Sequence, residues 1–290
     1  FWGISYDNAK KRHIENGREV FTSCCTIKEH EIRKKMKSIE EIACDFNYIY
    51  SHLLNYKGNL TPVYQELVML KKQIESYTIN NYLSNCQKYI NIHNKLNEFD
   101  QSTWNFFVSA VRKYFGKDFS NINILDVGAG PGRDLLFGQH LGFKMVGCDK
   151  CEEFVNQYNQ VQTNAPSYVY GDACQLPFKK GIFDVVRQSA SLVHIPIIGK
   201  GYGTDLAIHE SYRVLKTGGL LYVLVKEGSG INVVDTNEGL GKRIFQYYED
   251  KDIRQIFSRN NFKILSIKKI EEMRQGVLIK WLACIAVKEG

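Results

Sequence analysis

The densest concentration of chemistry-bearing residues lies at Ile124-Leu125-Asp126-Val127-Gly128-Ala129-Gly130-Pro131-Gly132-Arg133. An apolar run ends in a glycine cluster that opens a helix. Glycines let a backbone turn tightly and let a ligand approach it closely, and a helix start offers unpaired N–H groups. Such a turn serves nucleotides in general, and two features narrow the choice. A dinucleotide fingerprint G-x-G-x-x-G/A wants Gly or Ala at position 133, where this chain has Arg133 and carries its third glycine at Gly132. Asp126 ends the strand, and a carboxylate there repels a pyrophosphate. It suits a ligand with a cationic ammonium and sulfonium and no phosphate. Asp149 ends the next apolar run, 19 residues beyond Gly130, the spacing of a carboxylate that takes ribose hydroxyls.

These residues need a scaffold that brings strand ends together. From Asn121 onward apolar runs and helical patterns alternate: strands at Ile122–Val127, Phe143–Cys148, Tyr168–Tyr170, Phe183–Ser189 and Leu220–Val225, with helices at Arg133–His140, Glu152–Val161 and Thr204–Val214. The last of these helices stops at Lys216-Thr217-Gly218-Gly219. A helix over Asp250–Arg259 and closing strands at Phe262–Ile267 and Val277–Val287 follow. Alternating buried strands and helices predict a doubly wound, mainly parallel sheet. Ligands of such sheets bind beyond the carboxyl ends of the strands, where the strand order reverses. Before residue 121 the pattern is helical: Ile27–Asn55, a second helix from Thr61-Pro62 (N-cap then proline at the first position) to Tyr77, and weaker patterns at Tyr82–Leu96 and Thr103–Phe115. The expected division is a helical cap over 1–100 and an α/β domain over 101–290.

The motifs resemble those of the class I S-adenosylmethionine-dependent methyltransferases over roughly residues 100–290. The glycine turn is similar to that family's motif I, and Val146-Gly147-Cys148-Asp149 to motif II. Gly171-Asp172-Ala173-Cys174-Gln175-Leu176-Pro177-Phe178 is similar to its adenine-binding motif. Phe183-Asp184-Val185-Val186, followed by Gln188-Ser189-Ala190-Ser191-Leu192-Val193-His194, is similar to motif IV and its loop, and Val214 to Leu221 to the stretch before strand five. The resemblance implies a seven-stranded sheet, S-adenosylmethionine as cofactor and methyl transfer as activity. It implies that Gly128, Ala129, Gly130 and Gly132 pass the methionine part and that Asp126 orients its ammonium. Asp149, with Lys150 beside it, serves the ribose end. Asp172 and the Ala173 N–H meet the adenine, and Gln188 and Ser189 line the mouth near the transferred methyl. Arg133 has two open roles, a partner for the methionine carboxylate or a solvated first-turn residue. Gly199-Lys200-Gly201-Tyr202-Gly203 departs from the family pattern and reads as a mobile loop.

Methyl transfer needs alignment and water exclusion, and a base only where the acceptor must lose a proton. His194 is the candidate base, because imidazole titrates near neutral pH; the alternative is a histidine packed at a helix entry beside Pro196. Lys226 and Glu227, after strand five, face the acceptor or solvent. Tyr247 and Tyr248 shape the acceptor pocket or belong to the core. The cap aromatics Tyr77, Tyr82, Tyr89, Phe99, Trp104, Phe106 and Phe107 read mostly as core, with some covering the ligand.

The acceptor reads as a small molecule methylated at O or N. The alternatives are an RNA or protein acceptor and a non-catalytic scaffold; a nicotinamide dehydrogenase is disfavoured by Arg133 and Asp126. The formal charge of +7 is spread along the 290 residues, with 17 basic against 13 acidic residues up to position 120 and 21 against 18 beyond. Its densest cluster, Arg33, Lys34, Lys35 and Lys37, reads as a solvated helix face, so nucleic acid is not the expected partner. No run approaches the ~20 apolar residues of a membrane span, and a cytoplasmic setting with reduced thiols is expected. Among the eight cysteines, Cys24, Cys25, Cys44, Cys86, Cys148, Cys151, Cys174 and Cys284, only Cys148 and Cys151 form C-x-x-C, and no second pair completes a metal site. Oligomeric state is not legible.

Overall fold

The computed structural model describes residues 37–53, 58–116, 118–161, 164–235 and 238–290. The start of the first expected helix, most of the basic cluster at 33–37, and Cys24 and Cys25 lie outside the described residues.

Among the described residues four helices precede the sheet: α1 (Ile39–Leu53), α2 (Thr61–Ser84), α3 (Cys86–Ile92) and α4 (Glu98–Phe115). Leu60, and not Thr61, is the N-cap of α2, with the proline in the first turn as expected. That helix runs seven residues past Tyr77, because Ile74 and Thr78 remain buried against the cap core and Thr78 bonds back to Ile74 O at 2.9 Å. Helix α4 opens with a capping box in which Asn97 and Asp100 exchange side-chain and backbone bonds.

The sheet strands are β1 (Asn123–Val127), β2 (Lys144–Asp149), β3 (Ser167–Tyr170), β4 (Phe183–Ser189), then, after the β5 (Ile197–Gly199) and β6 (Tyr202–Gly203) hairpin, β7 (Leu215–Lys226). A second hairpin, β8 (Ile231–Asp235) and β9 (Lys242–Gln246), precedes β10 (Phe262–Arg274) and β11 (Val277–Lys288). Helices α5 (Arg133–His140), α6 (Glu152–Val161), α7 (Thr204–Val214) and α8 (Asp250–Arg259) connect them. The seven-stranded order is β10-β11-β7-β4-β1-β2-β3. β1 pairs in parallel with β2 and β4, β2 with β3, and β4 with β7; β11 alone runs against its neighbours β7 and β10. This is the expected Rossmann-like methyltransferase sheet, with the strand order reversing between β1 and β4.

Two segments differ from expectation. The glycine segment at 199–203 is not a plain loop but closes the β5–β6 hairpin; Gly203 has φ +56, and a Cβ there would meet Pro196 O at 2.0 Å. The β8–β9 hairpin carries no strong alternation, and tertiary contacts explain it: Ile231 and Ile244 pack with Ile42, Phe46, Leu67 and Ile74 in a core that belongs to α1 and α2. The cap therefore sits on the two hairpins through its own apolar cluster. The sheet core is a second cluster and includes Trp104, Phe107 and Val111 of α4.

Candidate functional site

The reversal point opens into a cleft of about 580 Å³, lined by the glycine turn, the ends of β2, β4 and β7, and cap residues of α2 and α3. Its floor is held by backbone bonds. Gly128 N–H donates to Cys148 O at 2.7 Å, and Gly130 N–H donates to Asp149 Oδ2 at 2.9 Å. The Asp149 Oδ1 accepts from Cys151 N–H at 2.8 Å. Two N–H donors leave acceptor sites on this carboxylate, which offers about four, for a ligand. Gly130 has φ +55, and a Cβ there would meet nothing within 4 Å, so its backbone faces open cleft. Gly128, at φ +74, is tight against Ser191, whose Cβ would lie 2.3 Å from an added Cβ. Gly132 abuts the Tyr158 ring and is not in the lining; its part is to start α5 at φ +79.

The structure reassigns Asp126. Its carboxylate is buried, at 2% exposure, and does not line the cleft. The Arg187 guanidinium on β4 donates to both of its oxygens at 3.0 and 3.2 Å and to Asp134 at 3.3 Å. Arg187 also lies 4.5 Å from the centroid of the Trp104 ring. Arg133 extends the chain of charges by pairing with Asp134 and with Asp100 at 2.8 Å, so it is not a solvated first-turn residue: it pairs with protein carboxylates and lines the cleft. Burial pushes Asp126 up to about 6 even against Arg187, whereas Arg187 and Arg133 together hold Asp134 below its ordinary range. The physical reason is register: Asp126 pairs with Arg187 across β1 and β4, which turns the two side chains toward each other.

Asp172, Ala173 and Lys150 line the cleft as expected. Asp172 accepts from Cys174 N–H at 2.8 Å and from Lys150 Nζ at 2.7 Å, and Lys150 also reaches Glu75 at 3.3 Å. Ser189 lines the cleft; Gln188, fully buried, faces the other way and donates to Ser211 Oγ at 2.6 Å. Alternation along β4 makes that outcome unavoidable for adjacent residues. Tyr247 and Lys226 line the cleft, whereas Tyr248 is fully buried and donates to Leu192 O at 2.8 Å.

His194 lines the cleft but is not a free base. Ile244 O, 3.1 Å from Nδ1, can only accept, so Nδ1 carries the proton and Nε2 accepts from Tyr82 O–H at 2.9 Å. Burial, with Arg243 and Lys226 nearby, pushes its pKa down to about 3. The ring is neutral, with both nitrogens engaged, and it positions Tyr82 and β9. Sequence reasoning missed Arg187, Asp134, Arg243, Phe245, Arg274 and Trp281. Only Arg187, an odd charge inside the apolar run of β4, left a local signal.

Cys86, Cys148, Cys151, Cys174 and Cys284 are free thiols, no group of His, Cys, Asp or Glu among the described residues could hold a metal ion, and no helix among them is long and apolar enough to cross a membrane.

Residues 125–223 match the family model of a methyltransferase domain. A sterol 24-C-methyltransferase of Candida albicans is 26% identical over 180 residues, 53% of this chain and 45% of that protein. A malonyl-[acyl-carrier protein] O-methyltransferase of Herminiimonas arsenicoxydans is 38% identical over 109 residues, 37% of this chain and 38% of that protein. The chain thus spans less than half the length of these curated relatives. Among solved structures, the 1,6-didemethyltoxoflavin-N1-methyltransferase of Burkholderia thailandensis, with S-adenosylhomocysteine bound, has a TM-score of 0.56 at 14% identity, covering 76% of this chain and 91% of that one; the likeness is one of fold.

Proposed function

We infer that this chain, whose residues 125–223 match a methyltransferase-domain model, is a class I S-adenosylmethionine-dependent methyltransferase that binds S-adenosylmethionine in the cleft and methylates an oxygen or nitrogen of a small-molecule acceptor. The observation that carries the reading is the pairing of a glycine open to the cleft with a half-satisfied carboxylate. Gly130 opens onto the cleft, and Asp149 reaches its N–H from the next strand with acceptor sites to spare. A diphosphate fits poorly here. The cations nearest the turn, Arg133 and Lys150, are already committed to Asp100, Asp134, Asp172 and Glu75. A cationic nucleoside fits, and Asp149 takes its ribose hydroxyls. Asp172 and Ala173 flank the base end.

When bound, S-adenosylmethionine supplies a methyl group on a cationic sulfur, open to displacement by an acceptor lone pair. The chain's own part is placement. Ser189 and Lys226, at the ends of β4 and β7, border the space beyond the glycine turn, and Tyr82, Tyr89, Phe154 and Phe245 wall it from water. Exclusion of water and alignment of the acceptor carry the acceleration. With both nitrogens of His194 engaged, no base is assigned to it.

Calorimetry tests the reading: S-adenosylhomocysteine binds and NAD does not. Asp149→Ala weakens S-adenosylhomocysteine by about tenfold or more, the scale of a lost hydrogen bond to a charged group. Tight NAD binding, or unchanged affinity in Asp149→Ala, defeats it.

A further inference from the structure

The β7–β11 side of the cleft holds a positive charge that has no counter-ion among the described residues. Lys226 ends β7 and is 7% exposed. Its ammonium lies 3.6 Å from the centroid of the Phe245 ring, with the Tyr247 and Trp281 rings at 5.8 and 5.7 Å. Trp281 is its register partner on β11. Aromatic faces attract a cation but do not neutralise it. Arg243 and Arg274 line the same end. Each has a carboxylate: Glu238 lies 3.0 Å from Arg243, and Arg274 reaches Glu272 at 2.7 Å and Glu238 at 3.6 Å. Trp281 Nε1–H also donates to Glu272 at 3.0 Å. The buried carboxylates Glu238 and Glu272 are thus engaged, among the described residues, with Arg243 and Arg274 rather than with Lys226. Among the described residues no carboxylate and no hydrogen-bond acceptor reaches the Lys226 ammonium. Glu227 is paired with Lys269, and Asp235 and Lys280 sit exposed at the rim.

A charge removed from water costs free energy until an opposite charge or acceptor completes it. The charge to be met here is the single Lys226 ammonium, and the walls are Phe245, Tyr247, Trp281 and Phe99. The matching ligand is a monoanion on an apolar or aromatic body. It cannot coincide with the nucleoside end, because Asp149 and Asp172 stand on the β2–β3 side, whereas Lys226 lies two residues past the Ser189–Leu224 pair on the opposite side of the reversal point.

We propose that the acceptor of this cleft carries a carboxylate, received by the Lys226 ammonium within its ring of Phe245, Tyr247 and Trp281, with Arg243 and Arg274 reinforcing the field. The proposal rests on the methyl-transfer reading and names the acceptor class for the same cleft. Burial, with Arg243 and Arg274, pushes Lys226 down to about 8, against the opposing influence of Glu272 and Glu238; a bound carboxylate reverses that shift.

The experiment titrates 3-phenylpropionate and its uncharged amide into the full chain, alone and saturated with S-adenosylhomocysteine. The carboxylate binds at least about tenfold tighter than the amide, and Lys226→Met erases the preference, tenfold being the low end of a charge-assisted hydrogen bond. S-adenosylhomocysteine affinity stays within about twofold in Lys226→Met, well under that tenfold step. Equal binding of acid and amide, binding of neither, or a preference that survives Lys226→Met overturns the proposal and leaves the cofactor reading standing. A loss of S-adenosylhomocysteine affinity in folded Lys226→Met also overturns it, since the ammonium would then serve the cofactor's own carboxylate. Failure of the wild-type chain to bind S-adenosylhomocysteine, titrated separately, sinks the methyl-transfer reading instead. Should Lys226→Met not fold, the wild type decides: carboxylate affinity falls at least about tenfold between about pH 7 and 10 as Lys226 loses its proton, and the amide's does not; a flat profile overturns the proposal.

Discussion

Replacing Arg187 by methionine separates the two roles of Asp126. Methionine fills most of the arginine stem's volume, so packing is largely kept. What is lost is the guanidinium that bonds both oxygens of a carboxylate at 2% exposure and also reaches Asp134. Removing one partner of a buried ion pair costs about 3–5 kcal/mol, and the cation–π contact with Trp104 contributes about 1 kcal/mol more. Typical stabilities are about 5–15 kcal/mol, so the variant loses a large share, with a fall in Tm of about 10 °C. Urea denaturation at pH 7 measures it. Asp126→Asn in the Arg187→Met background returns about 2 kcal/mol or more, because a neutral amide tolerates burial better than a carboxylate. The pH dependence has a definite sign. Burial already pushes Asp126 up to about 6 from an ordinary 3.8, and without Arg187 it rises further. The folded variant then binds more protons than the unfolded chain, so its stability is lost as pH rises through that folded value, and its deficit against wild type narrows toward pH 4. A variant within about 1 kcal/mol of wild type at pH 7, below the cost of any broken buried pair, or no gain from Asp126→Asn, would refute the structural role and return Asp126 to the ligand.

Three further outcomes follow from the site. Gly130→Ala places a methyl in open cleft at φ +55; stability falls by about 1–2 kcal/mol, the cost of a left-handed alanine, while S-adenosylhomocysteine affinity drops by about tenfold or more. Gly128→Ala, whose Cβ meets Ser191 at 2.3 Å, loses both, and calorimetry beside thermal melts distinguishes the pair. Because His194 is held neutral in the fold, its contribution to stability is full above its ordinary 6.5 and is lost as pH falls from there toward about 3; the stability of wild type relative to His194→Gln therefore declines over that window, and a constant difference in urea titrations counts against the assignment. Tyr248→Phe removes a buried hydroxyl bonded to Leu192 O and Thr204, costs about 1–2 kcal/mol and leaves S-adenosylhomocysteine affinity unchanged; weakened binding would restore Tyr248 to the acceptor site.

The alternation of apolar runs and helical patterns after residue 121 was enough to predict the parallel sheet, because buried parallel strands must be apolar throughout and their connections must be helical. The glycine turn and Asp149 were legible for a similar reason: tight turns and strand-end carboxylates are local features, and the 19-residue spacing of Gly130 and Asp149 places them together in any such fold. The direction of a side chain and the identity of its partner are not local. Gln188 and Ser189 are neighbours in sequence, and only the pleat decided that Ser189 meets the cleft and Gln188 meets Ser211.

The chain order alone determined the architecture, the place of the cleft and the residues that turn around it. Tertiary structure decided which charges are available there. Asp126 is spent on Arg187, 61 positions away, and His194 on Tyr82, 112 positions away, while Lys226 is left with aromatic rings brought from β9 and β11. A charge is neutralised by whatever lies within a few ångströms, and separation along the sequence carries no information about that distance.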